Sequence, residues 1–177
     1  MADIIIHRQI AADSWLLLES SADGGVAIPE TGDIIVPLAV WRAQRAALMM
    51  RAGRLGVWLD SHEDPALLAG DLRHFKLIAV NFPQFTDGRG YSIARLLRER
   101  YGWQGELRAI GDVLRDQLLY LSSCGFDAFV LREGQDAQAA LRAFDDFSEA
   151  YQSSVEHPHP LFRRRRALAA EAAGLTP

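Results

Sequence analysis

The segment TDGRGYS, residues 86–92, combines side chains and glycines that could bind an oxyanion. Its glycines allow close approach to the backbone, and the helix predicted after it offers unpaired N–H groups to a negative charge. Its hydroxyls and its arginine add donors suited to phosphate, sulfate or sulfite. The predicted anion-binding residues are Thr86, Asp87, Gly88, Arg89, Gly90 and Ser92. The alternative is a tight Asp-Gly turn in which Asp87 or Ser92 caps the helix.

A second polar loop, within AIGDVLRDQ, could carry acid–base chemistry. Asp112 ends a predicted strand, and Arg115 and Asp116 fall in the first turn of the next helix. Residues four apart share a helix face, so the two carboxyls could work as a pair that the arginine orients. These three are the predicted catalytic residues. The alternative is that Asp112 caps the helix and Asp116 favours its positive end.

The glycine-rich loop does not identify a cofactor. In GRGYSIA, Ala94 stands four residues after the second glycine, where the dinucleotide-binding fingerprint needs a small residue three after it. The segment PQFT also separates the loop from its strand, and the loop is not a P-loop. The cofactor, if the protein uses one, is therefore unknown from the sequence.

Rare residue types narrow the chemistry further. Cys124 is the single cysteine, which excludes an internal disulfide and the thiolates of an iron–sulfur cluster. It precedes Gly125 at a predicted helix end, where we expect a buried, structural thiol. Lys76 is the single lysine and begins a strand, away from the carboxyl ends where parallel α/β proteins place working groups. Schiff-base chemistry is therefore not expected.

The histidines give only weak metal candidates, and no metal site is predicted. The segment SHEDP contains His62, Glu63 and Asp64, yet Asp64 before a proline is expected to cap a helix. His157 and His159 lie in HPHP near the C-terminus, with Glu156 as the neighbouring acid.

Compact apolar runs and regular helix-end glycines predict an α/β fold with about five strand-then-helix units. Strands are predicted at residues 33–39, 54–60, 77–83, 106–112 and 127–133, and helices at 39–53, 63–75, 91–102, 113–125 and 136–152. Five units cannot complete an eight-unit barrel, so the mainly parallel sheet is either open and doubly wound or an incomplete barrel. Both topologies place the two polar loops at one sheet edge.

The ends of the chain are predicted to differ from this core. The segments DIIIHRQI and SWLLLES flank AADS and predict a short N-terminal hairpin. Residues 1–152 are predicted to form a single α/β domain, and residues 153–177 a partly ordered tail. Four successive arginines, residues 163–166, suit either a solvated segment or contact with an acidic partner protein.

Charge and hydropathy exclude several classes of partner. A net charge of −4 argues against a nucleic-acid binder, which needs a strongly basic surface. No apolar run approaches the roughly 20 residues that cross a bilayer, and the first residues do not resemble a signal peptide. We therefore expect a cytoplasmic protein whose partner is a small anion or another protein, including a second copy paired through open sheet edges.

Several segments resemble an uncharacterised bacterial family that is described as an oxidoreductase involved in sulfite reduction. They are DIIVPLAVW, GRLGVWLD, FTDGRGYS, GDVLRDQL, GFDAF and FSEAYQ, and the resemblance spans about residues 15–152. It implies a role in sulfate and sulfite assimilation, with sulfite reductase or another protein of that pathway as partner. It supplies no active-site residues.

Two hypotheses follow. The first is an accessory oxidoreductase of assimilatory sulfite reduction, with an oxyanion or phosphate site at the glycine-rich loop and Asp112, Arg115 and Asp116 across the crevice. The alternative is a non-catalytic protein that docks on sulfite reductase or stabilises it, using its surface and the arginine-rich tail. Whether the protein is an enzyme is left open by the sequence.

Overall fold

Apolar runs of four to six residues form the central strands of one curled, half-barrel sheet. The computed structural model describes residues 3–19, 26–144, 155 and 163. The eight strands are β1 Asp3–Ile6, β2 Gln9–Ala12, β3 Leu16–Leu17, β4 Ile34–Pro37, β5 Leu55–Leu59, β6 Leu77–Phe82, β7 Glu106–Gly111 and β8 Ala128–Phe129. Their spatial order is β2-β1-β8-β7-β6-β5-β4-β3. The sheet is mixed, because β3 to β8 are parallel while β1 runs antiparallel to β2 and β8.

The helices pack on one face of this sheet. Because β3 to β8 lie side by side in chain order, right-handed crossovers place their helices on the same side. The large core cluster joins strand residues such as Val57 and Val80 to helical residues such as Trp41 and Leu121. On the other face, Ile35, Leu77, Ala79 and Ile110 pack against Trp15, Trp58 and Val130. Of the two predicted topologies, the incomplete barrel is the one observed.

The α-helices of the described residues are α1 Leu38–Met50, α2 Arg89–Arg95, α3 Leu118–Ser123 and α4 Ala137–Leu141. A π-helical turn, Leu96–Arg100, extends α2. The helix predicted at residues 63–75 was wrong, because that segment forms two 3-10 turns, Pro65–Leu68 and Leu72–His74. Residues 69–71 separate the two turns, and the Asp71 carboxylate accepts a 3.0 Å hydrogen bond from Trp41 Nε1. The predicted count of five strand–helix units is therefore not confirmed in the described residues.

The N-terminal hairpin exists, but its predicted strands were wrong. β1 pairs with β2 across a two-residue turn at His7 and Arg8. Their φ values of 48° and 61° are positive, as a two-residue type I′ hairpin turn requires. The segment containing Leu16 instead pairs in parallel with β4 at the opposite edge of the sheet. Four residues of chain span at most about 14 Å, so the sheet must curl to bring its edges together.

Two predictions about single residues are confirmed. Cys124 follows α3 and is buried, and this burial raises the pKa of its thiol. Lys76 directly precedes β6, at the amino edge of the sheet. No helix in residues 3–19 or 26–144 is long and apolar enough to cross a membrane.

The last predicted helix begins as α4 and continues as a 3-10 turn to Phe144. Residues 145–152 lie outside the described part of the chain, as does the predicted tail apart from Val155 and Arg163. The boundary between a single domain and a tail stays a prediction.

Candidate functional site

The glycine-rich loop follows β6, and its donors surround a carboxylate of its own. Asp87 accepts hydrogen bonds from the Arg89 backbone N at 3.1 Å, from Arg89 Nε at 2.9 Å and from Arg89 Nη2 at 2.6 Å. Ser61 Oγ donates a further bond of 2.7 Å from the loop after β5. The Arg89 side chain, followed by Ser61, holds the pKa of Asp87 well below its usual range. Asp87 therefore accepts hydrogen bonds from the arginine that the sequence analysis assigned to an oxyanion.

The other residues of the loop form its turn, pack against β6 or face solvent. The alternative prediction was a tight turn in which Asp87 or Ser92 caps the helix. Asp87 accepts a bond from the Arg89 backbone N two residues on, while the N-cap residue of α2 is Gly88, which makes no side-chain cap bond. A Cβ atom at Gly90 would lie 2.5 Å from the Phe82 ring, so close packing requires glycine there. Thr86, Gly88 and Ser92 are exposed. Binding of an external oxyanion at the loop stays a prediction.

The three predicted catalytic residues engage different partners. Asp112 accepts 3.0 Å hydrogen bonds from the Phe85 backbone N and from Arg132 Nη1. Arg115 Nε donates to the Ala139 carbonyl in α4 at 3.2 Å. The Asp116 side chain is 90% exposed and lies 3.9 Å from Arg115. The structure thus brings Asp112 against the glycine-rich loop, while Asp116 points into solvent.

A third group of polar residues follows β5, of which the sequence analysis missed Asp60 and Ser61. Asp60 Oδ1 accepts from Ser61 N at 2.7 Å and from Asn81 Nδ2 at 3.3 Å. Asp60 and Ser61 come directly after an apolar strand, so the criterion that selected Asp112 could have selected them. Glu63 Oε2 accepts from the Asp60 backbone N at 2.7 Å, and His62 Nδ1 lies 3.4 Å from Asp60 Oδ2.

Among the weak metal candidates, Asp64 has another role. Asp64 caps the first 3-10 turn by accepting a 2.9 Å hydrogen bond from Ala66 N, as predicted for a residue before proline. In the described part of the chain, no group of three or more histidine, cysteine or acidic side chains is placed to hold a metal ion.

A partly exposed group of aromatic side chains, here called the aromatic patch, lies beside both polar loops. It consists of Phe85, Tyr91 and Tyr120. Gln117 Nε2 donates to the Phe85 carbonyl at 3.0 Å and to the Tyr91 hydroxyl at 3.2 Å. The Tyr91 and Tyr120 rings form an edge-to-face pair 4.8 Å apart. Phe85 is 53% exposed and Tyr120 is 56% exposed, so large apolar surface remains open to solvent.

Replacing Arg89 with glutamine is expected to raise the pKa of Asp87 toward the ordinary carboxyl value of about 3.9. The guanidinium is the largest influence that lowers this pKa, and a glutamine side chain carries no charge. A carboxyl whose pKa is lower in the folded state than in the unfolded state stabilises the protein at pH values above the unfolded pKa. This stabilisation is lost as the pH falls through the folded pKa. The variant should therefore lose less stability in acid. Carboxyl-carbon NMR titration measures the shift directly.

Ser61→Ala is the matched comparison, because it removes the second-largest influence on the same carboxylate. Its effect on the pKa of Asp87 should have the same sign and be smaller. An Asp87 pKa that is equal in wild type and Arg89→Gln would show that the arginine does not hold the carboxylate in solution.

Comparison with known proteins places the chain in a family. Residues 56–162 match the model of one family, described as bacterial protein of unknown function (DUF934). This segment runs from β5 past α4 and includes both polar loops and the aromatic patch. No curated protein matched the chain. Because the match covers more than half of the chain, the protein belongs to the bacterial family of unknown function DUF934.

Proposed function

We propose that this protein is a non-catalytic accessory component of assimilatory sulfite reduction and docks on sulfite reductase through the aromatic patch. The link to sulfite reduction is supported by the resemblance of its sequence segments to the family described above. The main observation that supports the docking role concerns Phe85. Its side chain is exposed, while its backbone N–H and its carbonyl are both hydrogen-bonded within the protein.

Phe85 is fixed although its side chain fills no core space. Its backbone N donates to Asp112, and its carbonyl accepts from Gln117. A side chain whose backbone is already ordered loses less conformational entropy on binding. Aromatic residues are enriched at the centres of protein interfaces, where they supply much of the binding energy. An ordered, exposed Phe85 therefore suits an anchor for a partner protein.

The surrounding charges also favour binding over catalysis. Asp87 is paired with Arg89 at 2.6 Å, and Asp112 with Arg132 at 3.0 Å. A general acid or base must be within reach of a substrate proton, whereas these carboxylates are committed to neighbouring cations. Paired, partly exposed charges around an aromatic centre are typical of an interface rim.

Replacing Phe85 with alanine is expected to weaken binding to sulfite reductase by about thirtyfold, the effect of losing a hot-spot side chain worth about 2 kcal/mol. The whole chain and the reductase of the same bacterium are mixed, and the affinity is measured by surface plasmon resonance. Met50→Ala is the matched control, because Met50 is 87% exposed at the end of α1 and far along the chain from the patch. Its affinity should stay within about twofold of wild type.

Two results would count against the docking proposal. One is the absence of any wild-type binding to the reductase at micromolar concentrations. The other is equal affinity of Phe85→Ala and Met50→Ala, which would mean that contact occurs elsewhere on the surface.

The second candidate is the accessory oxidoreductase that holds an oxyanion at the glycine-rich loop. The convergence of three polar loops after β5, β6 and β7 favours it, because ligands of parallel sheets bind at that edge. Its test is a thermal-shift series with flavins, nicotinamide nucleotides, sulfite, sulfate and adenylyl sulfates. A stabilising ligand whose effect disappears in Arg89→Ala would favour this candidate over docking.

A further inference from the structure

A second surface, at the amino edge of the sheet, has the character of an anion site. It is a cavity of about 260 Å³, here called the basic cavity. Its polar lining residues are Arg51, Arg54, His74 and Lys76. Three cationic side chains and a histidine thus meet around one small space, in a protein whose net charge is −4.

The Arg51 guanidinium has hydrogen-bond partners for two of its nitrogens and none for the third. Its Nε donates to the Pro29 carbonyl at 3.2 Å, and its Nη2 donates to the Gly32 carbonyl at 2.7 Å. Its Nη1 is buried and has no hydrogen-bond partner. Both acceptors are neutral, so the positive charge of Arg51 is not compensated by them. A buried donor without a partner is unusual in a folded protein.

His74, which also lines the cavity, has a similar unpartnered nitrogen. Its Nε2 is buried and has no hydrogen-bond partner. Lys76 is exposed, and none of the ion pairs found in the described part of the chain involves Lys76 or Arg51. The nearby carboxylates form their ion pairs with other arginines, Asp33 with Arg54 and Asp71 with Arg45, and they act on Arg51 and His74 only as weaker, through-space charges. The lining of the cavity thus includes Arg51 and Lys76, which form no ion pair in the described part of the chain, and two buried nitrogens without a partner, one on Arg51 and one on His74.

We propose that the basic cavity binds a small molecule with one phosphate-type or sulfate-type oxyanion group. The group would compensate the charges of Arg51 and Lys76 and accept hydrogen bonds that the protein does not satisfy. Leu48, Met49 and Leu55 provide an apolar wall for a short carbon portion of the ligand. The cavity lies at the edge opposite the aromatic patch, so this proposal does not depend on docking.

The test uses the whole ¹⁵N-labelled chain with sodium phosphate, sodium sulfate and phenyl phosphate, each against sodium chloride of equal ionic strength. Saturable shifts are expected for the amides of Gly53, Leu55 and Lys76. Lys76→Gln should weaken the affinity about tenfold, as expected for loss of a hydrogen bond to a charged group. His74→Gln is a second variant at a separate point of the cavity and should also weaken binding.

Arg42→Gln is the matched control, because it removes one positive charge from an exposed position on α1 outside the cavity. Its affinity should stay within about twofold of wild type. Shifts at Gly88 and Arg89 instead of the cavity would assign the anion to the glycine-rich loop and overturn the proposal. Equal weakening by Lys76→Gln and Arg42→Gln, or no saturable shift with any of the three probes, would also overturn it.

Discussion

Replacing Arg98 with leucine is expected to lower the free energy of unfolding by about 3–5 kcal/mol, the usual cost of breaking a buried charge pair. The Arg98 side chain is 11% exposed, and its Nη2 donates to Asp127 Oδ2 at 2.8 Å. Its other nitrogens donate to the carbonyls of Trp103, Gly105 and Gly125 at 2.7–2.9 Å. Leucine would leave three carbonyls and one carboxylate without these donors, and each buried unsatisfied group is unfavourable.

Urea unfolding followed by circular dichroism measures this effect, with Arg98→Lys and Arg95→Leu as comparisons. Lysine keeps the charge but lacks the planar set of donors, so it should recover less than half of the loss. Arg95 lies one turn earlier, is 45% exposed and pairs with Glu99 at 3.4 Å, so its replacement should change stability by less than about 0.5 kcal/mol. A loss below about 1 kcal/mol for Arg98→Leu would mean that water replaces the guanidinium.

Replacing Arg108 with leucine is expected to lower the free energy of unfolding by a similar amount, about 3–5 kcal/mol at neutral pH. Arg108 projects from β7 and is 3% exposed. It bonds Asp13 Oδ2 at 2.7 Å and Glu106 Oε1 at 2.7 and 2.8 Å. Without the arginine, two partly buried carboxylates would face each other. Asp13 lies between β2 and β3, so the ion pair also fixes the segment that connects the two edges of the sheet.

The loss for Arg108→Leu should depend on pH. Burial raises the pKa of Glu106, and Arg108 opposes that rise. When a carboxyl has a higher pKa in the folded state, the folded protein binds more protons, and stability falls as pH increases from the unfolded pKa to the folded pKa. Removing Arg108 raises the folded pKa further and widens this interval. The variant should therefore be less destabilised at about pH 5 than at about pH 8.

A triple variant distinguishes two causes of the lost stability, unpaired buried charge and lost packing of the arginine side chain. Arg108→Leu combined with Glu106→Gln and Asp13→Asn removes the buried charges together and should recover most of the lost stability. The measurement is again urea unfolding, at both pH values. A triple variant as unstable as Arg108→Leu, with no pH dependence in either protein, would assign the loss to packing of the arginine side chain.

The candidate site could be predicted in outline and not in detail. The position of the two polar loops at one sheet edge follows from strand direction, which apolar runs reveal. The contact between Ser61 and Asp87 joins residues 26 apart in the chain, and no local pattern identifies such a pair. The ion pair between Arg108 and Asp13 could not be predicted for the same reason, because the two residues are 95 apart in the chain. The sequence analysis assigned neither of them a role.

Local features were therefore determined by the sequence itself. Apolar runs defined β4 to β8 within a few residues, because burial on both faces demands continuous hydrophobic side chains. Gly102 and Gly125 were recognised as helix ends and have φ values of 67° and 104°, which favour glycine. The buried state of Cys124 also followed from its local position.

Only the tertiary structure decided the curl of the sheet, the path of the N-terminal segment and the partners of the buried charges. β3 joins β4 instead of closing the predicted hairpin, because the turn at His7 and Arg8 already pairs β2 with β1. Asp87 pairs with its near neighbour Arg89, but its bond from Ser61 exists only because folding brings the loop after β5 against the glycine-rich loop. Such pairings depend on contacts between distant segments, and their energies are absent from any short stretch of sequence.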